Sequence, residues 1–207
     1  MTRLFLSIGM GLLAVQVSAP SNDDVAVYRA VLKHTIYGEV DRVSYDAGLK
    51  MPAPVLTYDR TLTLCGQGSN YTKEMGCLTT DDIRYFEGKA PIMGTLMFDR
   101  RLTVQSREEL GQSYRERNRE PRQLPGDKRT GLILVPPDRP FEEMLNRASN
   151  RTTGFATFSS PGYSSDGHAL VYASYTCGGL CGRGWFFLLE RRGESWRVVD
   201  RVEVSIS

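Results

Sequence analysis

Residues 169–205 read ALVYASYT-CGGLCGRG-WFFLLERRGES-WRVVDRVEVS, and this stretch decides the fold. Three segments, 169–176, 185–191 and 196–205, gather aromatic and β-branched residues and predict strands. Between them lie a glycine-rich cysteine loop (177–184) and the polar turn Arg192-Gly-Glu-Ser195. Strands joined by such short connections predict an antiparallel meander. Upstream, Ser164-Ser-Asp-Gly167 reads as a turn, and residues 155–159 (FATFS) as a further strand.

Working outward, Ser21-Asn-Asp-Asp24 resembles a capped helix start with acids in its first turn. Val27, Ala30, Val31 and His34 then recur at helical spacing, which predicts an amphipathic helix over 22–36. Residues 55–64 (VLTYDRTLTL) and 132–135 (LILV) read as strands, and residues 79–86 and a segment capped by Asp138 as short helices. Ser106-Arg-Glu-Glu109 has the form of a capping box, opening a helix that ends near Pro121. Leu110 and Tyr114 are its only large apolar residues at helical spacing, so it is expected on the surface. The fold class expected is α+β: an antiparallel sheet packed with an N-terminal amphipathic helix and short surface helices.

Residues 1–19 stand apart. Arg3 precedes a mostly apolar run from Leu4 to Val17, and Val17-Ser-Ala19 offers a small-residue exit. A core of about 7–15 apolar residues is that of a secretory signal, and it is short for a membrane span of about 20. The expectation is a signal peptide over 1–19 and a single domain over 20–207, periplasmic or secreted, with no span after processing; an uncleaved anchor is the alternative. Cys65, Cys77, Cys177 and Cys181 then read as disulfides, with the local pairs Cys65–Cys77 and Cys177–Cys181 favoured over the other two connectivities. The net charge of +2 is too balanced for a chain built around nucleic acid or anionic lipid.

Gly162-Tyr163, Ala169-Leu-Val-Tyr172, Cys177-Gly-Gly-Leu-Cys181-Gly-Arg-Gly184, Leu188-Leu-Glu190 and Trp196-Arg-Val198 together resemble the C-terminal block of a family of small, uncharacterised exported bacterial proteins. The resemblance is confined to this block, with a fainter echo at Leu56–Thr61. Pro161, Arg191 and the stretched Gly193-to-Trp196 spacing depart from it. It implies architecture and export, and no reaction. A looser similarity, to the curved-sheet cone folds of nuclear-transport-factor type, rests on the final hairpin alone.

Several constellations invite chemistry. Cys177-x-x-x-Cys181 suits a structural disulfide better than a redox pair, because a strand rather than a thiolate-stabilising helix follows it. A metal site there lacks ligands, since His34 and His168 are the only histidines. Arg183 lies at phosphatase-cradle spacing from Cys177, again without the helix that such a cradle needs. His168 sits beside Ser164, Ser165 and Asp166, but residues crowded into one turn rarely reach triad geometry. Asp59, Glu87, Asp99 and Glu190 could include a carboxylate pair if the fold brings two together. Strand alternation leaves one of Trp185, Phe186 and Phe187 facing outward, and an exposed aromatic there is the first candidate ligand contact.

The candidate functional residues are therefore His168, Arg183 and Trp185, with no catalytic, cofactor or metal residue assigned. The reading is a non-enzymatic binding or envelope-accessory domain whose partner is a small molecule or an envelope protein. A periplasmic hydrolase, a thiol–disulfide enzyme and a secreted inhibitor or interaction module stay open beside it.

Overall fold

The computed structural model describes residues 21–38, 55–65, 77, 102–126, 132–136, 154–177 and 182–206. The proposed signal segment, the helices expected at 79–86 and after Asp138, and Cys181, Glu87 and Asp99 lie outside the described residues.

Helix α1 (Asn22–Val31) begins as its sequence dictates. The Ser21 hydroxyl accepts the Asp24 N–H (3.1 Å) and the Asp24 carboxylate accepts the Ser21 N–H (3.0 Å). This reciprocal box satisfies two amides that the first turn would otherwise leave without partners. The helix continues into a π-helical turn over Leu32–Ile36, a widening that keeps Leu32, Thr35 and Ile36 buried.

Among the described residues seven strands form one sheet: β1 (Val55–Tyr58), β2 (Leu132–Val135), β3 (Phe155–Phe158), β4 (Gly162–Tyr163), β5 (His168–Thr176), β6 (Gly182–Arg192) and β7 (Ser195–Ile206). Their order is β2-β1-β3-β5-β6-β7, with β4 also paired to β5. The C-terminal meander is present, since β5, β6 and β7 pair antiparallel in sequence. Gly193, at φ 63°, supplies the left-handed residue of the last hairpin turn.

The sheet as a whole is mixed, which corrects the antiparallel expectation. β1 runs parallel to both β2 and β3. A parallel pair needs a crossover instead of a hairpin, and helix α2 (Val104–Arg117) lies in the connection from β1 to β2. The strand expected over 55–64 stops at Tyr58, beyond which the chain makes only isolated bridges, Arg60 to Gln123 and Leu62 to Ser159.

Helices cover both faces of the sheet. On one face, Val27 and Val31 of α1 pack with Val171 of β5, Trp185, Phe187 and Leu189 of β6, and Trp196 and Val198 of β7. On the other, Leu110 and Tyr114 of α2 pack with Tyr58, Phe155, Leu170, Phe186 and Leu188. Residues 185–189 (WFFLL) are consequently buried without interruption, and each such side chain contributes roughly 1.5–3 kcal/mol. This overturns the expectation that one aromatic of the run faces solvent.

α2 also departs from the surface helix expected. Thr103, not Ser106, caps it, its Oγ1 accepting the Ser106 N–H (3.1 Å). Leu110, Gly111 and Tyr114 press one face onto the sheet. Gly162 makes the approach possible: a Cβ there would stand 2.6 Å from the Tyr114 nitrogen. Asn118, fully buried, ends the helix by donating to the Tyr114 and Ser160 carbonyls (2.7 and 3.0 Å) and accepting the Ser160 N–H (2.7 Å).

Candidate functional site

The β4–β5 turn, the β6–β7 turn and the first turn of α1 meet at one end of the sheet. Ser164 and Asp166 come from the first turn, Arg191 and Trp196 flank the second, and Asp23 and Asp24 come from the helix. Two arrangements of polar groups result, and an open cleft of about 480 Å³ lies between these turns.

The first arrangement centres on Asp166. One carboxylate oxygen accepts from Ser106 (2.5 Å), and the other from Ser164 (2.5 Å) and the His168 ring Nδ1 (2.9 Å). Partial burial pushes Asp166 upward, but the bonds from His168, Ser106 and Ser164 outweigh it and hold the carboxyl well below the usual carboxylate range. Next to it, Glu109 accepts the Ser165 N–H (2.6 Å), and that backbone bond, followed by the Ser165 hydroxyl, lowers its pKa. α2 is thereby tied to the turn at both Ser106 and Glu109.

This wiring differs from that of a nucleophile triad. In a triad the imidazole sits between serine and carboxylate, so that it can take the hydroxyl proton. Here the carboxylate sits in the middle and both serine hydroxyls point to it. His168 meets Ser164 through its backbone alone, its N–H donating to the serine Oγ (3.2 Å) and its carbonyl accepting the Ser164 N–H (3.1 Å). The chemistry available is that of a locked turn: an ionised acceptor neutralising donors from three directions.

The second arrangement is a clasp that sequence reading did not foresee. Asp24, 4% exposed, accepts from Arg117 Nη2 at 2.7 and 2.9 Å and from the Tyr163 hydroxyl at 2.7 Å. Burial, and then the adjacent Asp24 charge, push the Tyr163 phenol far upward, so it stays a donor. The Arg117 guanidinium lies over the Tyr163 ring (5.2 Å), Tyr163 packs on Trp196 (5.6 Å between centroids), and Arg191 lies over Trp196 (5.9 Å). An arginine–tyrosine–tryptophan–arginine stack results, with Asp24 at one end and Asp23 at the other. Both charges of the Asp24–Arg117 pair suit their helices, the acid in the first turn of α1 and the base in the last turn of α2.

The three candidate residues do not converge. His168 faces Glu190 across the β5–β6 ladder and Arg183 faces Tyr175, seven residues further along, or ~23 Å at ~3.3 Å per residue. Arg183 lies 3.5 Å from Glu203. Trp185, 1% exposed, donates its indole N–H to the same carboxylate (3.1 Å), so it is a core residue and not a ligand contact. Strand β6 carries Arg183, and Cys177 is disulfide-bonded, so neither the helix nor the free thiolate that a phosphatase cradle needs is present here. Cys65 and Cys77 are joined, as the local pairing predicts. Asp59 directly follows β1 and Glu190 belongs to β6, with β3 and β5 between those strands, and each neighbours an arginine of its own. Among the described residues no group of histidine, cysteine or acidic side chains is arranged to hold a metal.

The residues that do converge, Asp23, Tyr163, Arg191 and Trp196, carried only structural signals in the sequence: a helix cap, a Gly-Tyr pair and a tryptophan after a hairpin turn. The chain matches no family model, no curated protein and no solved structure.

Proposed function

We propose that the chain is an exported, non-enzymatic binding domain, in which the cleft between the β4–β5 and β6–β7 turns receives a small polar ligand. The observation that carries this reading is the cleft's construction. Its aromatic side, Tyr163 and Trp196, is held from behind by the buried Asp24–Arg117 pair, while Asp23, Arg191, Ser165 and Asp166 line the rim. A rigid aromatic wall with a few polar groups around it is the usual make-up of a ligand site. The Asp166-centred wiring supports binding over hydrolysis, because the His168 ring is bonded to the carboxylate and not to a serine. The Cys65–Cys77 disulfide supports residence in an oxidising compartment. No helix among the described residues is long and apolar enough to cross a membrane.

Two measurements test the proposal. Small polar molecules added to the ¹⁵N-labelled chain are expected to shift the Trp196 indole and the amides of residues 163–167 together. Hydrolysis of a generic ester by the native chain, lost in His168→Ala, would overturn the non-enzymatic reading. Cell fractionation tests the compartment separately, and recovery with cytosolic markers would overturn export.

A further inference from the structure

Asp23 and Asp24 are consecutive residues, and each opposes an arginine beside an aromatic ring, but the two pairs are in different states. Asp24 and Arg117 are closed: two contacts under 3 Å, a phenol donating as well, and only 5% of the carboxylate side chain exposed. Asp23 and Arg191 are open: their nearest approach is 3.5 Å, with side chains 40% and 49% exposed. Among the described residues, the sole hydrogen bond to the Asp23 carboxylate is a long one, 3.4 Å, from the Trp196 indole to Oδ1. Arg191 donates Nε to the Gly193 carbonyl (3.2 Å), and among the described residues its terminal nitrogens make no polar contact closer than the 3.5 Å approach of Nη2 to Asp23. Both residues line the cleft, and Trp196 touches each of them, its indole N–H directed at Asp23 and its ring beneath the Arg191 guanidinium.

We propose that this open pair is the recognition element of the cleft and takes a small zwitterion of the α-amino acid class. The ligand ammonium sits on Asp23, its carboxylate on Arg191 and its carbon skeleton against Trp196 and Tyr163. The inference rests on the binding reading above and adds the ligand class to it. Insertion exchanges one long, half-solvated ion pair, of the kind that contributes little, for two charge-assisted hydrogen-bonded contacts. A simple anion would satisfy Arg191 and leave Asp23 and Asp166 repelling it. A simple cation would satisfy Asp23 and leave Arg191 desolvated, and a neutral polyol would compensate neither charge fully. Asp166 adds negative potential at the rim, but its oxygens are already taken by Ser106, Ser164 and His168.

The test uses the full oxidised chain, labelled with ¹⁵N. Its two tryptophans give two indole N–H resonances, and Trp196→Phe assigns them. The probes are L-alanine, L-phenylalanine, phenylalanine methyl ester, N-acetylphenylalanine and glucose, each raised to ~10 mM, the range of a weak small-ligand site. Expected is a saturable shift of the Trp196 indole with at least one amino acid while Trp185 stays still. Blocking either end of phenylalanine weakens binding about tenfold, the value of one charge-assisted hydrogen bond. Asp23→Asn reduces amino-acid affinity by a similar factor and leaves N-acetylphenylalanine unaffected; Arg191→Gln likewise reduces amino-acid affinity and leaves the methyl ester unaffected. Equal binding by free and blocked forms, or a response to glucose alone, overturns the zwitterion assignment and leaves the cleft as a binding site. Silence of the Trp196 indole toward all five probes overturns both.

Discussion

Replacing Arg117 by methionine keeps the aliphatic stem of the side chain and deletes the charge that faces Asp24. The carboxylate left behind is 5% exposed and retains two donors, the Ser21 N–H and the Tyr163 hydroxyl. Breaking a buried pair in this way costs about 3–5 kcal/mol, because one charge stays behind without its counterion. The two surviving donors place Arg117→Met near the lower end, at about 3 kcal/mol. Loss of the stacking on Tyr163 adds about 0.5–1 kcal/mol. The reverse change, Asp24→Asn, is milder. The amide oxygen still accepts on one side while its NH2 faces a donor on the other, and Arg117, 22% exposed, can turn part of its charge to water. Its cost is about 1–2 kcal/mol. The ordering comes from burial: the deeper partner suffers more when left alone. In urea titrations of the oxidised chain at neutral pH, a slope of ~2 kcal/mol/M converts the methionine variant's loss into a midpoint shift of about 1.8–2 M. The double variant should recover about 1.5 kcal/mol relative to the sum of the singles. A midpoint for Arg117→Met within ~0.3 M of the parent, on that same slope, or a larger loss for Asp24→Asn, refutes the reasoning.

Gly162→Ala puts a methyl 2.6 Å from the Tyr114 nitrogen, and lifting α2 off the sheet should cost about 2 kcal/mol, or ~6 °C in Tm; an unchanged melt would mean that α2 packs less closely than described. His34 is expected to titrate below its ordinary value of 6.5, because burial, and then the Arg201 charge, disfavour the imidazolium. Its folded pKa is lowered, so its contribution to stability is complete above 6.5 and is lost as pH falls through the folded value. An NMR titration reads this directly, and Arg201→Gln should move the midpoint upward; a native midpoint at or above 6.5 contradicts the placement. Replacing Cys65 and Cys77 by serine opens a bridge of sequence separation 12 and should cost about 3 kcal/mol in the chain-entropy model, measured as a lower urea midpoint under oxidising conditions; equal midpoints would show that the bond adds no stability.

What could be read from the sequence follows the range of the forces concerned. The Ser21–Asp24 box, the Val27–Val31 stripe and the three C-terminal strands are local patterns, and local propensity specifies them without reference to the rest of the chain. The parallel pairing of β1 is not local, since it joins Val55 to Leu132 and Leu56 to Phe155. Residues 185–189 differ from the expected alternation for a related reason. Alternation identifies a half-buried strand, but a strand covered on both faces loses the alternation, and only the docking of α2 opposite α1 reveals the second cover. Ser106 shows the same limit. As part of S-x-x-E it is a sound capping signal, yet Thr103 caps the helix and the Ser106 hydroxyl bonds to Asp166, 60 residues away. The candidate cleft was invisible for the strongest form of this reason. Asp23, Tyr163, Arg191 and Trp196 each have an ordinary structural explanation alone, and their chemistry exists only in their juxtaposition.

α1, the first described element, packs against β7, the last. A chain delivered amino end first therefore presents Val27, Val31, Leu32 and Ile36 long before the surface that receives them has been made. The other layer waits as well, because Leu110 and Tyr114 of α2 need Leu170, Phe186 and Leu188. Neither helix can finish its packing before the C-terminal strands are made. Loss of β7 alone would strip α1 of part of its seat while leaving most of the sheet in place. The fold is in this sense closed by its final residues, and anything that escorts the chain before that point must shield the apolar stripe of α1.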